Sequence, residues 1–270
     1  MTVLTHRRLL GMAMLGLAAL LAGCASGTGG SGKAELETVS DQTRLQRSAD
    51  IHMQLAVGYY QQGRSAVALD EIKKVIAAEP NNADAYGVRA LIYMGMGQQD
   101  LARDNFERAL KLAPNNPDVA NNYGSFLCDA GKVPQALAYF DAALRNQAYD
   151  SPAKALNNAG SCAIKIKDYA RAEDYLLRAL KLTPDLPETN ANLARVYYER
   201  RDYVRAGFFI TRLGKTAKME SVTADVLWLA IKVQHKLGDV GAEEGWATQL
   251  RRHHSDSPEY AAYQRGAFDE

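Results

Sequence analysis

Small and bulky apolar positions recur along residues 49–220 with a period of 34 residues. When Pro80, Pro114 and Pro184 are aligned at position 32 of a unit, positions 8 and 20 hold only Gly or Ala, and position 24 is bulky and apolar. Two helices approach closely only where side chains are small, so each unit is predicted to be a helix pair. The residues at positions 8, 20 and 24 are Ala56, Ala68 and Ile72; Ala90, Ala102 and Phe106; Gly124, Ala136 and Phe140; Gly160, Ala172 and Leu176; and Ala194, Ala206 and Ile210.

The five regular units are followed by a looser sixth one, in which Gly238 and Asp239 indicate the turn and Trp228 and Trp246 are the expected packing residues. A polar helix ahead of residue 49 is expected to extend the array. The predicted regions are a leader at 1–23, a lipid-bearing cysteine and flexible tether at 24–48, a repeat domain at 49–257 with units 49–82, 83–116, 117–150, 153–186, 187–220 and about 221–257, and a C-terminal tail at 258–270.

This pattern resembles the tetratricopeptide repeat family, because several positions match in five consecutive units. A pair cannot bury its apolar face alone, and stacked pairs share a continuous core. The resemblance implies an all-α fold: a right-handed superhelical solenoid of about six helix pairs. It also implies a concave face lined by the first helix of each pair.

Residues expected on that face change in character along the array. Those of units one and two are apolar and include methionine, which suits docking of an amphipathic helix or a peptide. Those of units three and four are polar: they either hold a peptide backbone or are simply solvated. Met53 and Val57 have a second explanation, which is packing against a helix ahead of unit one. The predicted partner-binding residues are Met53, Val57, Tyr60, Leu91, Met94, Asn121, Ser125 and Asn157.

The first 24 residues have the pattern of a secretory signal peptide. Arg7 and Arg8 precede an uncharged run that is shorter than the ~20 residues of a membrane span. The run ends in Leu-Ala-Gly-Cys, which resembles the bacterial lipobox and predicts lipidation of Cys24; the alternative is an ordinary cleavage site with a chance cysteine. Ala25, rather than Asp, favours the outer membrane in the lipoprotein sorting pattern, so we expect a lipid-anchored protein facing the periplasm.

Composition and charge exclude several classes of protein. Apolar residues at 47% and charged residues at 23% are ordinary for a folded protein. Loss of Arg7 and Arg8 with the leader changes the formal charge from +1 to −1. Because the mature chain is not basic, we expect no nucleic-acid partner. For the same reason, we expect contact with the membrane through the lipid only. The histidines form no metal motif and no nucleophile elbow is present. We therefore expect no catalytic residues, no metal and no cofactor.

Two cysteines remain once Cys24 is lipidated. Cys128 and Cys162 fall in the first helices of neighbouring units, and the expected compartment is oxidising. A disulfide between them is favoured, and two buried free thiols are the alternative.

Several stretches resemble a more specific family, the type IV pilus biogenesis and stability lipoproteins known as PilF or PilW. These stretches are 121–128, 155–160, 197–203, 249–252 and 257–260. The resemblance implies a pilotin, whose partners are secretin subunits of the pilus outer-membrane channel and which promotes their localisation and multimer assembly. Two other hypotheses remain: a scaffold for β-barrel assembly or peptidoglycan hydrolase recruitment, and an enzyme on a helical-repeat scaffold.

Overall fold

The computed structural model describes residues 43–269, in which the secondary structure is entirely helical and thirteen α-helices occur. The predicted leader, Cys24 and the tether through residue 42 lie outside the described residues. A short 3₁₀ helix spans Met219–Ser221. The helices are α1 Arg44–Gln61, α2 Ser65–Ala78, α3 Ala83–Gly95, α4 Gln99–Leu112, α5 Pro117–Asp129, α6 Val133–Arg145, α7 Pro152–Lys165, α8 Tyr169–Leu182, α9 Pro187–Glu199, α10 Tyr203–Thr216, α11 Ala224–Leu237, α12 Val240–His253 and α13 Pro258–Gln264.

The small residues of the repeat lie where the two helices of a pair meet. A Cβ built on Gly124 of α5 would stand 2.8 Å from Cε1 of Phe140 on α6. The alanines at positions 8 and 20 are all fully buried. Side chains at position 24 therefore fill the space that the small residues leave.

Neighbouring pairs share one core. Phe106 on α4 lies 5.4 Å from Tyr123 and 5.6 Å from Phe126 on α5, measured between ring centroids, and Phe140 on α6 belongs to the same buried cluster. No pair buries its apolar face alone, so stacking is what stabilises each of them. The stack places the first helices α3, α5, α7, α9 and α11 next to one another, in that order.

Each regular pair turns through a left-handed residue at position 15. Gly63, Gly97 and Gly131 have φ near +74°, and Lys167 and Arg201 take φ +60° at the equivalent place. The amide of the following residue bonds back five residues to close the turn. This is the geometry of a glycine-type helix C-cap, which the repeat uses whether or not glycine is present.

The ends of the array depart from the regular units. Residues 44–48 extend α1 toward the N-terminus instead of forming a separate helix before residue 49. The C-terminal tail includes α13, and Phe268 beyond it stacks on Trp228 at 5.5 Å. Within the described part of the chain, no helix is both long and apolar enough to cross a bilayer.

Candidate functional site

The residues predicted for units one and two form an apolar strip, defined here as Met53, Val57, Tyr60, Leu91 and Met94. On α1, the spacing of three, four and seven residues puts Met53, Val57 and Tyr60 on one helix face. All three are half-buried. Met53 and Tyr60 pack against the buried cluster of the first pair, so part of each side chain is anchored and part stays at the surface.

A glycine joins the two halves of the apolar strip. A Cβ built on Gly95 of α3 would lie 3.1 Å from Cε2 of Tyr60, so the ring lies flush against the α3 backbone. Leu91 and Met94, on the same side of α3, are half-buried against the cluster that contains Phe106. Tyr60 therefore brings the α1 half of the apolar strip into contact with α3, at the residue next to Met94.

The alternative explanation for Met53 and Val57 required a helix ahead of unit one. Residues 1–42, which would have to supply a separate helix ahead of α1, lie outside the described part of the chain. Their assignment to a binding surface stays a prediction, as does that of the other strip residues.

The polar residues of units three and four bond to each other across helices. Asn158 on α7 donates from Nδ2 to Asn121 Oδ1 at 3.1 Å and to Ser125 Oγ at 3.3 Å on α5. Asn192 on α9 donates to Asn157 Oδ1 on α7 at 3.1 Å. Asn121 is only 1% exposed, so its side chain serves to position α7 and offers almost no surface to a ligand. Ser125 and Asn157 remain partly exposed.

A disulfide reinforces the same junction. Cys128 on α5 and Cys162 on α7 are bonded, with their Cα atoms 5.8 Å apart. Both residues are buried. The bond links the first helices of two neighbouring pairs, so the polar row and the disulfide together fix how α5 and α7 sit against each other.

At the C-terminal end of the row of first helices, charged and aromatic residues replace the apolar strip. Arg195 on α9 donates to Asp225 on α11 at 2.6 Å. Lys232 on α11 lies 5.3 Å from the ring centroid of Tyr198, and burial lowers the pKa of its ammonium group. The sequence prediction missed Lys232 because the sixth unit is out of phase; its only sequence signal is a second lysine, Lys236, one turn later.

Tyrosines in the described chain donate to carboxylates at the interfaces between pairs. Tyr175 bonds Asp141 at 2.7 Å and Tyr197 bonds Glu173 at 2.6 Å. Burial, followed by the hydrogen bond to Asp141, raises the pKa of Tyr175 to about 12, so its hydroxyl stays a donor. Residues 43–269 contain no group of three or more potential metal ligands. The hydrogen bonds from tyrosines to carboxylates therefore hold neighbouring pairs together.

Comparison with known proteins agrees with this geometry. Tetratricopeptide repeat models match residues 83–116 and 115–185. The chain is 26% identical to the type IV pilus assembly protein PilF of Pseudomonas aeruginosa over 248 residues, which cover 92% of this chain and 95% of that protein. The predicted tetratricopeptide solenoid is confirmed.

Two solved structures are similar over most of their length. The crystal structure of PilW, a widely conserved type IV pilus biogenesis factor, is 30% identical with a TM-score of 0.71, covering 80% of this chain and 98% of that one. The structure of Pseudomonas aeruginosa PilF is 25% identical with a TM-score of 0.73, covering 83% of this chain and 100% of that one.

Proposed function

Because the chain belongs to the PilW family of type IV pilus biogenesis factors, we propose that it binds the secretin of the pilus and promotes its assembly in the outer membrane. Its role lies in type IV pilus biogenesis. The proposed activity is that of a pilotin, which captures secretin subunits and helps them form the multimeric channel. The observation that carries this proposal is the 30% identity to PilW over 98% of that structure.

The membrane address of the proposed pilotin is the lipid on Cys24. The lipobox at the end of the leader supports lipidation, and Ala25 supports sorting to the outer membrane. With a formal charge of −1 after cleavage, the chain has little electrostatic attraction to a membrane, so the acyl chains supply the attachment. The repeat domain then faces the periplasm.

Secretin capture is assigned to the apolar strip. All five side chains are half-buried, all but Val57 pack partly against a buried cluster, and Tyr60 contacts α3 at Gly95. A pre-organised apolar surface of this kind suits an amphipathic helix, because little side-chain ordering is needed on binding. Ser125 and Asn157 would extend the contact with hydrogen bonds to a bound segment.

The first experiment compares the secretin on semi-native gels in cells with and without the gene. Loss of the multimer band, with the monomer still present, is the expected result. An unchanged multimer band in the outer membrane would reject the proposal and leave a general envelope scaffold, whose partners crosslinking would identify.

A second experiment separates capture from anchoring. Leu91→Glu should weaken secretin capture by at least tenfold, because it places a charge in the centre of the apolar strip. Leu101→Glu is the matched control, since Leu101 lies on α4 of the same pair and is 44% exposed. Cys24→Ser should leave capture intact and remove multimers from the outer membrane. Circular dichroism verifies that each variant keeps its helical content, and equal capture by both leucine variants would move the site away from the strip.

A further inference from the structure

A polar cavity lies between α9, α10, α11 and the C-terminal segment, at the far end of the row of first helices from the apolar strip. Its volume is about 540 Å³. It combines cations, carboxylates and aromatic rings. The lining residues are Tyr198, Glu199, Arg201, Tyr203, Lys232, Lys236, Phe268 and Asp269.

Lys232 is the unusual group of this cavity. It is half-buried, and its Nζ lies 5.3 Å from the ring centroid of Tyr198 and 5.7 Å from that of Trp228. It forms no ion pair with any described residue, whereas Arg195 and Lys236 beside it both do. The Glu199 carboxylate acts on Lys232 from a distance, and its charge opposes the lowering of the Lys232 pKa by burial. Oε2 of Glu199 accepts a hydrogen bond from the Tyr169 hydroxyl at 3.3 Å. Aromatic faces stabilise an ammonium group only partly, so Lys232 retains the capacity to bind an anion.

The C-terminal segment displays what this surface of α11 accepts. Lys236 donates to Asp269 Oδ1 at 2.6 Å. The preceding residue, Phe268, stacks on the ring of His235 with the centroids 3.7 Å apart. An adjacent aromatic residue and aspartate of this chain thus occupy one turn of α11. Lys232 lies four residues earlier, on the same side of the helix, and has aromatic neighbours but no described carboxylate within ion-pair distance.

We propose that the cavity binds a side-chain carboxylate, presented beside an aromatic residue by an extended segment of a partner protein, with Lys232 as its counter-ion. The bound carboxylate would meet α11 one helical turn before the point where Asp269 meets Lys236. A ligand with one negative charge fits better than a phosphate with nearly two, because Glu199 and Asp269 in the same cavity repel the additional charge of the phosphate. This site is separate from the apolar strip and does not depend on secretin capture.

The test uses the full mature chain and a fluorescent hexapeptide, Gly-Ser-Phe-Asp-Gly-Ser, amidated at its C-terminus. Fluorescence anisotropy compares it with a peptide that carries Asn in place of Asp. The aspartate peptide is expected to bind at least about tenfold more tightly, since a charge-assisted hydrogen bond to Lys232 is lost in the other. Lys232→Met keeps the length and apolar stem of the side chain and should abolish that preference.

Matched controls decide between this site and its alternatives. Lys181→Met, at an exposed lysine on α8, and Leu91→Glu, in the apolar strip, should both keep the preference for the aspartate peptide. Lys232→Gln provides a second variant, and the thermal unfolding of each variant verifies its fold. Equal affinity for both peptides, no binding up to about 1 mM, or an unchanged preference in folded Lys232 variants would overturn the proposal. Tighter binding of a phosphoserine peptide would overturn the assignment to a carboxylate.

Discussion

Gly160 on α7 lies directly against Leu176 on α8, so closely that a Cβ built on the glycine would stand 2.5 Å from Leu176 Cγ. The same positions hold Ala56 and Ile72 in the first pair, where a methyl group is present and both side chains are buried. The small and the large residue, sixteen positions apart, thus share one limited space between the two helices of a pair.

Gly160→Ala is expected to destabilise the protein by about 1–3 kcal/mol, because the added methyl group has no space beside Leu176. Combining it with Leu176→Ile reproduces the pair found in the first unit, and the double variant should recover most of that loss. Urea unfolding of the two single variants and the double variant gives the coupling energy. Independent effects of the two substitutions would contradict this account of the pairing.

The left-handed residue at position 15 predicts two substitutions with opposite effects on the free energy of unfolding. Lys167 has φ +60°, which disfavours an L-residue by about 1–2 kcal/mol, and its side chain is exposed without an ion pair to a described residue. Lys167→Gly should raise the free energy of unfolding by about 0.5 kcal/mol once the greater freedom of glycine in the unfolded chain is included. Gly131→Ala, at φ +75°, should lower it by about 1 kcal/mol. Chemical unfolding of both variants checks the signs, and a loss at both positions would contradict the strain argument.

The regular pairs could be predicted from sequence because their contacts repeat at a fixed spacing. The sixth pair was predicted with its turn at Gly238, but its register could not be predicted, for two physical reasons. The 3₁₀ helix Met219–Ser221 shifts the phase by three residues, so that counting back from the turn at Gly238 starts the unit at Ala224. The sizes are also exchanged, with Ile231 in place of the small residue and Ala247 in place of the bulky one. Ile231 and Ala247 are buried in one cluster, so one large and one small side chain still pack between the two helices, on exchanged positions.

The candidate sites were predictable to different extents. The apolar strip was predicted from the positions that line the concave face in the repeat family, and its role in binding stays a prediction. The setting of Lys232 could be predicted only in part: Trp228 lies four residues before it on α11, but Tyr198 and Phe268 come from other segments of the chain. The burial of Asn121 was also missed, because hydrogen bonding between helices decides which of two adjacent asparagines points inward.

The disulfide is expected to contribute strongly to stability. Cys128 and Cys162 are 34 residues apart, and closing a loop of that size stabilises a protein by about 3–4 kcal/mol in the chain-entropy model. The double variant Cys128→Ala with Cys162→Ala should therefore unfold at a markedly lower urea concentration. Reduction of the wild-type protein should move its transition in the same direction, and reductant should not affect the variant. Equal midpoints for the oxidised and reduced wild type would contradict the prediction.

Glu173 predicts how stability depends on pH. Burial by itself raises the pKa of this carboxyl, but hydrogen bonds from Tyr197 and Arg200 outweigh it and hold the pKa below its ordinary value of 4.5. A carboxyl whose pKa is lowered by folding stabilises the protein above the unfolded value, and the contribution is lost as pH falls through the folded value. Glu173→Gln should therefore cost about 1 kcal/mol at pH 7, and the difference from wild type should shrink below pH 4.5.

The matched control for Glu173 is Asp174→Asn on the same helix. Asp174 is exposed, and Arg178, four residues away at 3.3 Å, is its one ion-pair partner among residues 43–269, so its removal should change stability by less than about 0.5 kcal/mol at any pH. Glu173, by contrast, joins α8 to Tyr197 on α9 and to Arg205 on α10, which makes it a link between two pairs. Urea unfolding at pH 7 and at low pH measures both effects. A cost for Glu173→Gln that stays constant with pH would indicate lost packing instead of a lost charge.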